Sequence, residues 1–137
     1  MIRILHVEDE ETSHLMAKKN LMNVEKDLVF VWVESGEKAL ELLENESFDC
    51  ILSDFQMPGM DGLEFLKTVR EQGNQTPFIF LTGQGNEKIA VEAFHLGADD
   101  YFTKEEGFVH YERLLNSIKK HIHKYIGHKV FLFNSRF

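Results

Sequence analysis

Five short apolar runs, each followed by a stretch with helical spacing, confine this chain to a narrow set of folds. The runs are Ile2–Val7, Leu28–Val33, Phe48–Ser53, Pro77–Leu81 and Tyr101–Thr103. Consecutive strands separated by helices cannot pair through hairpins, so they form a parallel sheet whose crossovers cover both faces. Strand two is almost wholly apolar, as a strand buried on both faces would be. Helix one is predicted from Glu10 to Asn23, with Leu15, Leu21 and Met22 among its apolar positions. Ser35 is positioned to cap helix two, where Ala39, Leu40 and Leu43 keep helical spacing. Pro58, Gly59 and Gly62 make Asp54–Gly62 a loop. Asp61 and Glu64 then open helix three, whose Leu63, Leu66 and Val69 face inward. Helix four is predicted from Asn86 to Leu96 with Gly97 at its C′ position, and helix five starts near Gly107. The prediction is an α/β, doubly wound, five-stranded parallel sheet with right-handed crossovers.

Polar residues stand where four of the five runs give out: Glu8-Asp9, Asp54, Thr82 and Lys104. In an open parallel sheet, ligands bind in the crevice beyond the carboxyl ends of the strands, so these residues converge. Periodicity leaves several strand orders open; a site on strands one and three favours 2-1-3-4-5, in which they are neighbours. Three crowded carboxylates repel one another, and one protonates unless a cation intervenes. An all-oxygen set with few protein ligands favours Mg²⁺, with Mn²⁺ as an alternative. Asp54 is the candidate nucleophile, because a carboxylate can attack phosphorus and hold the group as an acyl phosphate. Lys104 supplies positive charge, Thr82 a hydroxyl, and Gly83 a backbone N–H that can approach an oxygen closely. Alone, each has a plainer reading as a helix cap, a turn residue or a solvated charge. Their joint placement is what argues for a metal and phosphoryl site.

Composition removes other classes. One domain accounts for 137 residues. The net charge of −8 opposes nonspecific nucleic-acid binding, although Lys119, Lys120, Lys124, Lys129 and Arg136 make the C-terminus basic. Cys50, the single cysteine, reads as a core residue in an apolar strand. No apolar run reaches the ~18 residues needed to span a bilayer, and the first residues lack a leader pattern; no membrane partner and a cytoplasmic location are expected. None of the histidines, including His6, His95, His121 and His123, is expected to bind metal.

The segments ILHVEDE, SDFQMPGMDGLEFL, the LTG around Thr82 and GADDYFTK occur in that order. Together they resemble the receiver domain of two-component response regulators, from about Ile2 to the start of helix five. The resemblance implies a flavodoxin-like (βα)5 three-layer sandwich. It makes Asp54 the phosphoacceptor, and Glu8, Asp9, Asp54 and the Gln56 backbone carbonyl the Mg²⁺ site. Thr82 and Lys104 match the phosphoryl-sensing hydroxyl and ammonium, and Tyr101 the aromatic switch that moves with Thr82. Gln56 and Gln84 match side chains that tune phosphoryl lifetime. The donor it implies is a phosphohistidine on a sensor histidine kinase or phosphotransfer protein. The protein would then be a signalling switch that catalyses only its own phosphorylation and slow dephosphorylation. An aspartyl phosphatase would need a second acid two residues after Asp54, where Gln56 stands. A flavin module would need a hydroxyl- and glycine-rich loop after strand one, where the acids Glu8-Asp9-Glu10-Glu11 would repel phosphate.

The family usually places proline after the lysine, through a cis peptide, but here Glu105 follows Lys104. A cis bond before a non-proline residue costs about 2.5–4 kcal/mol, so a trans peptide is expected. Tyr111, Leu115, Ile118, Ile122 and Tyr125 repeat at 4, 3, 4, 3, a coiled-coil rhythm. A helix from Gly107 to Ile126 would be about 30 Å long against about 17 Å for a five-residue strand. Its last turns, around Ile122 and Tyr125, should overhang and meet a second copy or lead into another domain. A homodimer through the face of helix four, strand five and helix five is the corresponding expectation. The organisation expected is a receiver domain over 1–126, with 127–137 a tail or the start of a linker. The output is left to docking by a stand-alone receiver or to a further domain.

Overall fold

The computed structural model describes residues 1–83, 86–105 and 107–134, the last four of these as backbone. Strands and helices alternate throughout: β1 (Ile2–Val7), α1 (Glu11–Val24), β2 (Leu28–Val33), α2 (Gly36–Leu43), β3 (Cys50–Ser53), α3 (Gly62–Glu71), β4 (Phe78–Thr82), α4 (Glu87–His95), β5 (Asp100–Thr103) and α5 (Phe108–Asn134). All pairings are parallel and the order is β2-β1-β3-β4-β5. This is the doubly wound, flavodoxin-like arrangement that the alternation and the strand-end residues favoured.

Side chains alternate across the sheet with the period of two that a strand imposes. Leu5, Val7, Ile51, Phe78 and Phe80 enter one core with Ala39 of α2, Phe65, Leu66 and Val69 of α3, and Ala93 of α4. Ile4, Cys50, Leu52, Ile79 and Leu81 enter the other, with Ala17 and Leu21 of α1 and Tyr111, Leu114, Leu115 and Ile118 of α5. Cys50 is a fully buried free thiol in the second layer. Its packing fits the core reading.

Two expectations change, at β2 and at α5. β2 is the edge of the sheet: only Leu28 is buried and the rest of the strand is half-exposed, because no strand and no complete helix layer lies beyond it. On α1 the core positions are His14, Ala17 and Leu21, while Leu15 is 52% exposed. Leu15 points away because residues 14, 17 and 21 already define the inward face at helical spacing.

Helix α5 continues through Asn134, past the expected end at Ile126. At 1.5 Å per residue its 27 residues span about 40 Å. Gly127 is helical and exposed, at a propensity cost of about 1 kcal/mol that the helix tolerates. Ile122 packs on the second core, and Tyr125 is half-buried beside Gln75, Pro77 and Asp99. The run-off therefore begins one turn later than expected. Among the described side chains its exposed apolar residues are Ile126 and Val130, at 53% and 52%.

Local signals worked where chemistry is local. Ser35, Asp61 and Asn86 each cap the following helix, accepting from Lys38 N, Glu64 N and Ile89 N. Ser35→Ala removes one such acceptor while leaving the α2 core face intact. It is expected to destabilise the fold by about 1 kcal/mol, to be read as a shift in the urea midpoint at unchanged slope. No cis peptide occurs among the described residues, so Lys104-Glu105 is trans. Lys104 N donates to Thr82 O at 3.0 Å and Glu105 N to Thr103 O at 3.0 Å, which turns the chain out of β5 without proline. Among the described residues no helix is long and apolar enough to cross a membrane.

Candidate functional site

The parallel sheet delivers its strand ends to one edge. Glu8 follows β1 directly, its N–H held by Val33 O at 3.1 Å. Asp54 follows β3, its N–H held by Val7 O at 3.0 Å. Thr82 is the last residue of β4 and is fully buried. Lys104 follows β5. Asp54 and Lys104 open on a cleft of about 610 Å³, lined also by Asp9, Glu10, Ser13, Gln56, Met57, Pro58 and Gly83.

The Lys104 ammonium donates to Glu8 Oε1 at 2.7 Å and to Asp54 Oδ2 at 3.0 Å, which joins three strand ends through one charge. Asp54 Oδ1 accepts from Phe55 N at 2.7 Å. Carboxylate oxygens of Glu8, Asp9 and Asp54 lie within 4.8 Å of one another. One ammonium cannot neutralise three such groups. Burial, reinforced by the neighbouring Asp54 carboxylate and opposed by Lys104, pushes the Glu8 carboxyl up to about 7. Burial acts on Asp54 in the same sense, but hydrogen bonds with Glu8, Thr82 and Lys104 outweigh it and hold Asp54 below the usual range. Burial opposes the Lys104 charge, yet the two carboxylates raise its affinity for the proton. The two neighbouring carboxyls are thus driven apart, Glu8 upward and Asp54 downward.

A divalent cation fits this donor set. Glu8 is buried, and its Oε2 has no hydrogen-bond partner among the described residues. An orphaned buried carboxylate oxygen is costly, and it sits in a cluster whose net charge remains negative after Lys104 is counted. Hard oxygen donors of this kind suit Mg²⁺ or Mn²⁺.

Most of the residues singled out by sequence meet here. Gln56 and Gly83 line the cleft. Among the described residues a Cβ on Gly83 would meet only Lys104 Cδ, at 3.7 Å, an ordinary contact. Tyr101 lies in β5 with its ring 6.2 Å from that of Phe80, and its buried hydroxyl has no partner among the described residues. Burial, and then Asp54, raise the Tyr101 phenol. Gln84 lies outside the described residues.

Sequence reasoning missed three contributors. Gly62 read as a loop breaker, yet a Cβ there would fall 2.4 Å from Asp54 O; a glycine in the first helical position, where better helix formers are available, is the signal of close approach. Trp32 donates through its indole N–H to Glu8 O at 2.7 Å. His6 and His14 are buried with their Nδ1 atoms 2.9 Å apart, and burial, then His14 and Lys104, press His6 down to about 3. Nothing in periodicity announces these contacts.

Comparison with known proteins agrees with this geometry. The family model described as response regulator receiver domain matches residues 4–119. Response regulator RppA of Synechocystis sp. is 40% identical over 105 residues, covering 75% of this chain and 44% of that protein. Transcriptional activator protein IrlR of Burkholderia pseudomallei is 37% identical over 117 residues, covering 85% of this chain and 50% of that protein. The chain spans about half the length of these curated relatives. Among solved structures, a CheY-like receiver domain protein from Methanospirillum hungatei superposes with a TM-score of 0.78 at 26% identity, covering 90% of this chain and 95% of that one. Chemotaxis protein CheY4 of Vibrio cholerae gives 0.75 at 29% identity, covering 88% and 98%. With the fold, the acidic cleft and a family match over most of its length in agreement, the chain belongs to the response regulator receiver domains of two-component systems.

Proposed function

We propose that this domain is a phosphorylation-dependent switch in which Asp54 takes a phosphoryl group from a phosphohistidine of a sensor kinase or phosphotransfer protein. The observation that carries the proposal is the Asp54 carboxylate, bridged to Glu8 by the Lys104 ammonium and lining an acidic cleft. Mg²⁺ held by Asp9, Asp54, the Gln56 backbone carbonyl and Glu8, directly or through water, would supply positive charge to the phosphoryl oxygens. Phosphoryl transfer needs alignment and charge neutralisation more than covalent machinery. An Asp54 carboxylate oxygen attacks phosphorus while the phosphorus–nitrogen bond breaks, leaving its electron pair on the donor imidazole. Lys104, already on Asp54, then pairs with a phosphoryl oxygen. The Thr82 hydroxyl and the Gly83 N–H approach the other oxygens.

Thr82 and Tyr101 lie on adjacent strands, and Tyr101 has a buried hydroxyl with no fixed partner to lose among the described residues. Movement of Thr82 toward the phosphoryl group frees space for Tyr101 to follow, which alters the face of α4, β5 and α5. That face controls a partner, a further domain or a second copy. The receiver unit occupies 1–126, and 127–137 is a tail or the start of a linker. The domain is a switch and not a turnover enzyme, and it has no nucleic-acid contact of its own.

Incubation with acetyl phosphate, with and without Mg²⁺, followed by intact-mass measurement and peptide mapping, tests the reading. Labelling is expected at Asp54 and only with a divalent cation. Equal labelling after chelation, or a label mapped elsewhere, overturns it.

A further inference from the structure

The Glu8-Asp9 turn carries two of the three clustered carboxylates, and the side chain that fixes it comes from β2. Glu8 N donates to Val33 O at 3.1 Å, the last rung between β1 and β2. β2 ends at Val33, and the chain continues to the Ser35 cap of α2. The Glu8 carbonyl nevertheless has a donor, the Trp32 indole N–H at 2.7 Å. A side chain thus stands in for a further rung of the sheet. Because the peptide unit is planar, holding the Glu8 carbonyl also fixes the N–H of Asp9 and hence the direction in which Asp9 leaves the backbone.

Trp32 is itself clamped. The His14 ring stacks on it at 4.8 Å between centroids and 4° between planes. His14 Nδ1 meets His6 Nδ1 at 2.9 Å, so one ring donates and the other accepts. Phe30 packs edge-on against both imidazoles, 6.3 Å from each. The chain of contacts runs from β1 through α1 to β2 and back to the residue that follows β1. Such an arrangement restricts the indole to the orientation that reaches Glu8.

We propose that Trp32 is a positioning residue of the acidic cleft: its indole N–H holds the Glu8-Asp9 peptide in the orientation that binds a divalent cation. The inference rests on the reading of that cleft as a cation site. Trp32 touches neither the cation nor the phosphoryl group, and acts through the backbone that carries two ligands. Losing the hydrogen bond should weaken Mg²⁺ binding by about 2- to 10-fold, the equivalent of one net hydrogen bond.

The test combines two measurements on the whole chain. Calorimetric titration with MgCl₂ compares wild type with Trp32→Phe, which keeps an aromatic ring against His14 and loses the N–H. The indole N–H resonance of wild type, unambiguous because the chain has a single tryptophan, is followed by NMR through the same titration. The expected result is weaker Mg²⁺ binding by Trp32→Phe together with an indole resonance that shifts along the wild-type binding curve. A residue that merely supports the fold would lower the melting temperature and leave both readings unmoved. Equal Mg²⁺ affinity in the two proteins, or an indole resonance that stays put while wild type saturates, overturns the inference and leaves the cation site intact. Absence of Mg²⁺ binding by wild type overturns both. If Trp32→Phe does not fold, the wild-type resonance decides alone.

Discussion

Asp54→Asn is expected to take up no phosphoryl group from acetyl phosphate at any Mg²⁺ concentration, and to bind Mg²⁺ at least about tenfold more weakly than wild type. The two losses have separate causes. An amide has no anionic oxygen with which to attack phosphorus, so the acyl phosphate cannot form. The weaker cation binding follows from the removal of one of three clustered charges, since a unit charge pair about 4 Å apart is worth about 4 kcal/mol near a protein surface. The fold should survive, because the amide oxygen of the variant can still accept from Phe55 N as Asp54 Oδ1 does, and Lys104 keeps its 2.7 Å contact with Glu8. Intact-mass labelling and calorimetric Mg²⁺ titration read the two effects independently. Wild-type labelling in the variant would move the acceptor to another residue. Unchanged Mg²⁺ binding would remove Asp54 from the cation site without touching its role as nucleophile.

Gly62→Ala should unfold the site from behind. The alanine Cβ would sit 2.4 Å from Asp54 O, 2.7 Å from Phe80 Cε1 and 2.8 Å from Phe55 Cα. Two of these three atoms are backbone, and one belongs to Asp54, the proposed phosphoacceptor. Phe80 cannot yield, since it is fully buried with ring centroids 5.0 Å from Phe78 and 6.2 Å from Tyr101. The 2.7 Å bond from Gly62 N to Phe55 O ties the same two segments together. Overpacking of this kind costs about 1–3 kcal/mol, and any relief pushes Asp54 out of line with Lys104. Phosphoryl transfer is sensitive to such shifts, where about 1 Å costs on the order of 100-fold. Stability to urea and the initial rate of labelling should therefore both fall. Gly83→Ala is the comparison, because among the described residues its Cβ meets only Lys104 Cδ, at 3.7 Å, and its stability should match wild type. If Gly62→Ala is as stable as wild type, α3 can slide away from the Asp54 loop and the close approach is not a constraint.

The alternation of apolar runs and helical stretches was enough, by itself, to determine the parallel sheet, its two covered faces and the edge on which Glu8, Asp9, Asp54, Thr82 and Lys104 meet. That information is local: a strand's period of two, a cap such as Ser35 or Asn86, and the polarity of the residue after a strand are properties of a few neighbours. Strand order was a weaker inference, resting on which strand ends shared a site. The exposure of β2 was misjudged because an apolar edge strand and an apolar central strand look alike until their neighbours are known. The overhang of α5 was placed a turn too early for a similar reason, since what covers Ile122 and Tyr125 is the rest of the fold. Gly62 against Asp54, and Trp32 with His14 and His6 behind Glu8, could come only from tertiary structure. Those contacts join residues 8 to 24 positions apart in the chain, and their distances are set by how closely a helix or an edge strand settles on the sheet. Packing at that scale depends on the summed shapes of both cores, which no short stretch of sequence contains.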